Sequence, residues 1–277
     1  MAGGIGGQRA SNAHGLLFVD ISLSTMLLFL CRLPTLTSKE DIVMLQFKNR
    51  KFTCGAYFMA AALMAAQAQA NASEATLKDG KLAIDTLPFA LESQLDLGAI
   101  SVQDKALVLQ AKKGTDLYAN TDGTEIADKT PRVLFQPSGD FIFSAKVTGG
   151  ANHAFNGGAL IVYNDKANWA KLLFEFAKTG AAGVSSTVAK GVGDDAHHGV
   201  RPGDAVYLKV VRRKDMFVFY TSPDGRDWSM VRSFGLPGAA TATVGFSSQS
   251  PAGDGFSAQF SDIKFRNATF KDFWQGE

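Results

Sequence analysis

The 277-residue chain is poor in the residue types that most readily declare a chemistry. It has two cysteines, Cys31 and Cys54, both within the first 70 residues. The remainder of the chain carries no thiol nucleophile and no cysteine zinc site, and about 205 residues must be held by an apolar core alone. Glutamate is scarce beyond residue 72: Glu74, Glu92, Glu125, Glu175 and Glu277 are the whole set. The strand motif E-x-D-x-x-E, which sets carboxylates at the separation glycosidic cleavage needs, is absent. So are G-x-S-x-G, a P-loop and a dinucleotide-binding glycine pattern, since GGIGG near residue 5 precedes no helical periodicity. Beyond residue 72 there is no internal repeat, no heptad pattern and no low-complexity linker, and 73–277 is expected to form one domain.

Excess charge is missing too. Six of the 28 Lys and Arg and three of the 26 Asp and Glu lie in residues 1–70, which leaves 22 basic against 23 acidic residues. A near-neutral remainder without a basic patch argues against nucleic acid as a partner. The first 70 residues read as targeting sequence. Lys48, Arg50 and Lys51 precede an apolar run at 52–66, and small-x-small sites end at Ala68, Ala70 and Ala72. This pattern predicts a secretory signal peptide over 44–72 and a secreted or periplasmic location; a buried N-terminal helix is the alternative. Its apolar run is too short for a bilayer span of about 20 residues, so no stable span is expected after cleavage. Residues 1–43 are expected to be an upstream extension without a fold, synthesis starting at Met44. The rival is a membrane anchor over 15–31, against which Asp20 stands at about 2.5–3.5 kcal/mol of insertion cost.

From residue 77 onward apolar and polar residues alternate with period two, in short runs broken by Gly, Pro, Asn and Asp. Twelve runs predict strands: 82–84, 106–111, 133–135, 141–147, 159–163, 170–177, 184–190, 205–212, 216–221, 228–234, 243–248 and 256–265. Twelve strands exceed what one open sheet holds comfortably, so two packed antiparallel sheets are expected. RRKDMF at 212–217 and the Asp-Gly of TSPDGRDW supply turn chemistry, making 205–234 a three-stranded meander.

The segments GTDLY, DKTPRVLF, GDFIFSAKV, GALIVYNDKANWAKLLFEF, SSTVAKGVGDDA, VYLKVVRRKDMFVFYTSPDGRDW, VGFSSQSPAGDG and FSDIKF succeed one another between about 87 and 265. In that order they resemble a bacterial and fungal family of uncharacterised domains. That family is grouped with the regulation-of-enolase protein in the concanavalin A-like lectin/glucanase superfamily. The resemblance implies an all-β, antiparallel two-sheet jelly-roll sandwich. It leaves activity open, because the superfamily hosts lectins, glycosidases, lyases and binding modules.

Within YNDKANWAKLLFEF, alternation places Trp169, Lys171 and Glu175 on one strand face and Leu172, Phe174 and Phe176 on the other. On the concave sheet of a jelly roll an aromatic ring can carry the C–H face of a pyranose while charged groups bond its hydroxyl rim. Trp169, Lys171 and Glu175 are the candidate ligand residues on that ground; an exposed ion pair with Trp169 closing the core edge is the alternative. Asp116 and Tyr118 in GTDLY are outer candidates, against an Asx-turn and a packed tyrosine. The resembling domains have Thr-Asp-aromatic-aromatic there, and Leu117 replaces one aromatic. Lys209 and Tyr220 are added by alternation in VYLKVV and MFVFYT, their face left open because relative strand parity is not set by sequence. TSPDGRDW is one residue short of the Asp-box S-x-D-x-G-x-x-W and occurs once, so it reads as a structural turn. GVGDDAHHGVRPGD reads as a loop in which Asp194 and Asp195 are candidate Ca²⁺ ligands, without an EF-hand pattern; no other cofactor is indicated.

Non-catalytic binding of a carbohydrate or glycan is the leading expectation. A glycoside hydrolase or polysaccharide lyase using Glu175 is the alternative. A third is an envelope protein-interaction module acting through 191–204.

Overall fold

The computed structural model of the chain describes residues 72–149, 153–201 and 203–277. The expected upstream extension and signal peptide lie outside the described residues, apart from Ala72. Eighteen strands form among the described residues. In chain order they are β1 (Ala75–Lys78), β2 (Lys81–Ile84), β3 (Glu92–Gln94), β4 (Gly98–Gln103), β5 (Ala106–Lys112) and β6 (Leu117–Ala119). Next come β7 (Ile126–Asp128), β8 (Arg132–Phe135), β9 (Phe141–Thr148), β10 (Gly157–Asp165), β11 (Asn168–Phe176) and β12 (Ala182–Lys190). The last are β13 (Gly193–Val200), β14 (Ala205–Arg213), β15 (Met216–Ser222), β16 (Ser229–Gly235), β17 (Thr243–Gln249) and β18 (Gly255–Arg266). No described helix is long and apolar enough to cross a membrane.

Two seven-stranded antiparallel sheets build a jelly-roll sandwich, the fold class expected from the sequence. The front sheet runs β13-β12-β11-β10-β17-β8-β3 and the back sheet β16-β15-β14-β9-β18-β5-β4. Period-two alternation explains why they stack. Ala170, Leu172, Phe174 and Phe176 of β11 and Val206, Leu208 and Val210 of β14 all join one core between the layers. Phenylalanines tie it together: Phe135 meets Phe143 edge-on at 5.1 Å, Phe143 meets Phe246 at 5.4 Å, and Phe246 meets Phe260 at 4.9 Å. Such pairs add about 0.5–1.5 kcal/mol each beyond the area they bury.

Each sheet also has a smaller apolar cluster on its outward face. On the front sheet Leu117 and Ala119 of the β6–β7 hairpin cover Ile161, Trp169, Leu173 and Ala189. On the back sheet Phe270, with Phe273 beside it, covers Ile142, Val211, Val218, Tyr220 and Trp228. These two covers decide which outward residues meet water.

All twelve sequence-predicted runs coincide with strands, overrunning them only at Ala177 and Trp228, and β1, β3, β4, β6, β7 and β13 are additional. One addition corrects the reading of the site region. GVGDDAHHGV is not a loop: β13 pairs with β12, Asp195 opposite Thr187 and Asp194 opposite Val188. Alternation then sends Asp194 and Asp195 to opposite faces, so they do not gather oxygens around one point. Among the described residues no group of three His, Cys, Asp or Glu is placed to hold a metal ion.

TSPDGRDW forms the expected turn. Asp224 Oδ1 accepts from Ser222 Oγ and from the backbone N–H of Arg226 and Asp227, each at 2.9 Å. Gly225 sits at φ 73°, and a Cβ there would lie 2.8 Å from the Tyr207 ring. Glycine is required on both counts.

Candidate functional site

The outward face of the front sheet holds a cleft of about 410 Å³. Its floor is Lys171, Leu173 and Glu175 on β11, Ser185 and Thr187 on β12, Asp195 and His197 on β13, and Gln249 on β17. The register explains the grouping. Lys171 lies opposite Thr187, Leu173 opposite Ser185, and Thr187 and Ser185 lie in turn opposite Asp195 and His197. Paired residues share a face, so one patch draws on three neighbouring strands.

One wall is Asp116, Tyr118 and Glu125 from the segment that carries the β6–β7 hairpin. The hairpin is pinned at several points. Thr115 bridges Ser250, Lys129 N donates to Asp116 O at 2.9 Å, and Gly193 N donates to Asn120 O at 3.0 Å. A Cβ on Gly193 would fall 1.7 Å from Ala119 O, so glycine there is what lets the hairpin lie this close to β13. Phe155 and Pro251 complete the lining. Phe155 is held at φ 66° and is 39% exposed, its N–H donating to Phe176 O at 2.7 Å. A bulky side chain kept exposed in left-handed backbone at a cleft rim is a feature that clusters at ligand sites.

Lys171 sits at the centre. Its Nζ donates to Gln249 Oε1 at 3.0 Å and lies 3.6 Å from Asp116 Oδ1. Gln249 is itself oriented by donating from Nε2 to Phe155 O at 3.0 Å. Glu175 Oε1 accepts from Ser185 Oγ at 2.7 Å and lies 3.9 Å from His197 Nδ1. Thr187 Oγ1 donates to Asp195. Burial pushes the Glu175 carboxyl above its ordinary range, against the pull of Ser185, Lys171 and His197. Burial raises Asp116 as well, opposed chiefly by Lys171. The negative charge of Asp116 adds a smaller upward push on Glu175 through space. Asp116 Oδ1 is buried against Lys171 without a hydrogen bond of good geometry, 3.6 Å from Nζ.

The structure thus brings together Lys171, Glu175, Asp116 and Tyr118 in one cleft. The other three candidates lie elsewhere. Trp169 does share the outward face with Lys171, but it is 0% exposed, roofed by Leu117 and Ala119. It cannot be a stacking platform; the hairpin takes the place a sugar would need. Lys209 and Tyr220 lie on the outward face of the back sheet beneath residues 268–277. Lys209 Nζ donates to the carbonyls of Gln275 and Gly276 at 3.1 Å, pairs with Glu277, and stands 3.9 Å above the Trp228 ring. Tyr220 OH donates to Phe273 O at 2.6 Å. Both are structural groups on the other layer, away from the cleft floor. Asp194 faces away from the cleft and pairs with Arg232 of β16 at 2.7 Å, tying the two sheet edges together.

Sequence reasoning did not find Gln249, Ser185, Thr187, His197, Glu125 or Phe155 as cleft residues. Alternation in SSTVA held a weak signal for Ser185 and Thr187. Gln249 gave none, being 78 residues from the lysine it holds.

These features define an all-β jelly-roll sandwich with a polar, carboxylate-lined cleft on one outward face. Over residues 98–268 the chain matches a family described as proteins of unknown function, DUF1349, and it belongs to that family. No curated protein matches the chain. Among solved structures it is similar to a functionally unknown protein from Saccharomyces cerevisiae, at 20% identity and a TM-score of 0.59, over 66% of this chain and 97% of that one. It is also similar to the GH43 protein BlXynB from Bacillus licheniformis, at 16% identity and a TM-score of 0.51, over 63% of this chain and 36% of that one. A bifunctional GH43-CE protein from Bacteroides eggerthii matches at 12% identity and a TM-score of 0.50, over 72% of this chain and 30% of that one. At these identities the likeness is one of fold, and the sandwich spans only about a third of each GH43 chain.

Proposed function

We propose that this is an exported, non-catalytic carbohydrate-binding domain that holds sugar in the front-sheet cleft. The observation that carries the reading is the meeting of Asp116, Lys171 and Glu175 beside Tyr118 and Phe155 in a cleft of about 410 Å³. Pockets for small ligands start at roughly 300 Å³, so there is room for one or two sugar units. The aromatic edges take the apolar C–H face, while the lysine, the carboxylates and Gln249 bond the hydroxyl rim. Tyr118 and Phe155 thereby take the stacking role expected of Trp169. The sequence over 44–72 supports export to a secreted or periplasmic location. The layering and the order of matched segments support placing the family in the concanavalin A-like superfamily and beside the regulation-of-enolase protein. The sandwiches carried within longer GH43 proteins are consistent with a sugar-directed role.

A second reading, polysaccharide hydrolysis or cleavage with Glu175 transferring the proton, has one observation in its favour. Glu175 is buried with a raised pKa and faces a second carboxylate, Asp116. Glycan-array binding followed by calorimetry on wild type and Lys171→Met tests the main reading. Wild type should bind and the folded variant should lose at least about tenfold, the worth of one charged hydrogen bond. Absence of any glycan affinity in wild type would sink it. Product release that Glu175→Gln abolishes while affinity persists would move the assignment to the second reading.

A further inference from the structure

The cleft is lopsided in charge. Its lining carries four carboxylates, Asp116, Glu125, Glu175 and Asp195, against one lysine and the exposed imidazole of His197. Lys171 is already engaged by Gln249 Oε1 and Asp116 Oδ1. Asp195 is met by the Thr187 hydroxyl and Glu175 by the Ser185 hydroxyl, dipoles that do not cancel a charge. Asp116 Oδ1 is buried against that lysine, while the Asp116 side chain as a whole keeps 25% of its surface exposed at the opening. A low-dielectric wall lined by one sign of charge focuses its field into the opening, attracting a ligand of opposite sign and repelling one of like sign. A ligand with a carboxylate or sulfate would add to the repulsion; one with an ammonium group would supply the missing positive charge and N–H donors for the rim carboxylates.

Resting on the sugar-binding reading, we infer that the cleft selects sugars carrying a free primary ammonium group, amino sugars in their deacetylated form, and rejects uronic acid and sulfated sugars. The ammonium enters between Asp116 and the rim carboxylates, while the pyranose ring lies along Tyr118. Acetylation removes both the charge and two of the three N–H donors, and so removes the reason for the preference.

The test is calorimetric titration at pH 6 and low salt with three probes: a glucosamine tetrasaccharide, its N-acetylated counterpart, and a galacturonic acid tetrasaccharide. The glucosamine probe should bind at least tenfold more tightly than the acetylated one, and the uronate should give no heat of binding. The ratio of the first two should shrink with added salt, as a charge-based preference must. In the double variant Glu125→Gln/Asp195→Asn that ratio should fall to within about threefold. Equal or tighter binding of the acetylated probe, or binding of the uronate, overturns the ammonium inference and leaves sugar binding standing. A tenfold ratio that survives both salt and the double variant overturns the charge argument. If none of the three probes binds and the glycan array is also blank, both readings fall together.

Discussion

Lys209 is the most quantitative handle on which face of the sandwich is closed. Its side chain is 1% exposed, capped by the carbonyls of Gln275 and Gly276 and paired with Glu277. Burial, only partly offset by Glu277, brings its pKa from 10.5 down to about 8. The gap corresponds to about 3 kcal/mol between the two protonation states. Between pH 8 and 10.5 the unfolded chain holds the proton and the folded chain has released it. The unfolded state therefore binds more protons, and stability rises with pH across that window. From pH 7 to 9, integration of the two titrations amounts to about 1 kcal/mol. Urea unfolding of wild type and Lys209→Met at pH 7, 8 and 9 isolates this contribution, because titrating groups that do not interact with Lys209 cancel in the difference. The methionine keeps the apolar stem against Trp228 and has no proton to lose, so wild-type stability should climb relative to the variant by about that amount. Parallel pH profiles would refute the reasoning: Lys209 would then titrate as an exposed lysine, and the segment at 268–277 would not seal the back sheet.

The front sheet supplies two more tests. Trp169→Ala should cost about 3–5 kcal/mol of unfolding free energy by leaving a cavity under the hairpin. Trp169→Phe should cost far less, since Trp169 Nε1 has no hydrogen-bond partner to lose, and sugar affinity should hold if the indole is purely structural. Lys171→Met should lower stability by about 2 kcal/mol at pH 7.5 by leaving Asp116 and Glu175 without their cation. Both carboxyls already have pKa values raised above the unfolded range. The deficit should therefore shrink as the solution is acidified and they protonate; a deficit that does not change on acidification would show that the lysine does not compensate them.

How much of this was written in the sequence depends on the range of the interactions concerned. Strand positions, the sandwich and the shared face of Lys171 and Glu175 were legible because they rest on period two, a property of neighbours along the chain. The turn at Asp224 and Gly225 was legible for the same reason, its hydrogen bonds spanning three residues or fewer. Residues 193–200 were misread as a loop, because Gly, Asp and His look like turn composition until pairing with β12 supplies their partners. Sequence also placed Trp169 on the right face, and could not say that the face was roofed there. That depended on the hairpin at 117–128, some forty residues earlier, packing across the sheet. Likewise Lys209 has the alternation of an exposed residue and the burial of a core one, because the segment at 268–277 folds over it. Local alternation determines which side of a strand a residue occupies; only the tertiary fold decides what lies on that side, since contacts between distant segments leave no periodic trace in the chain.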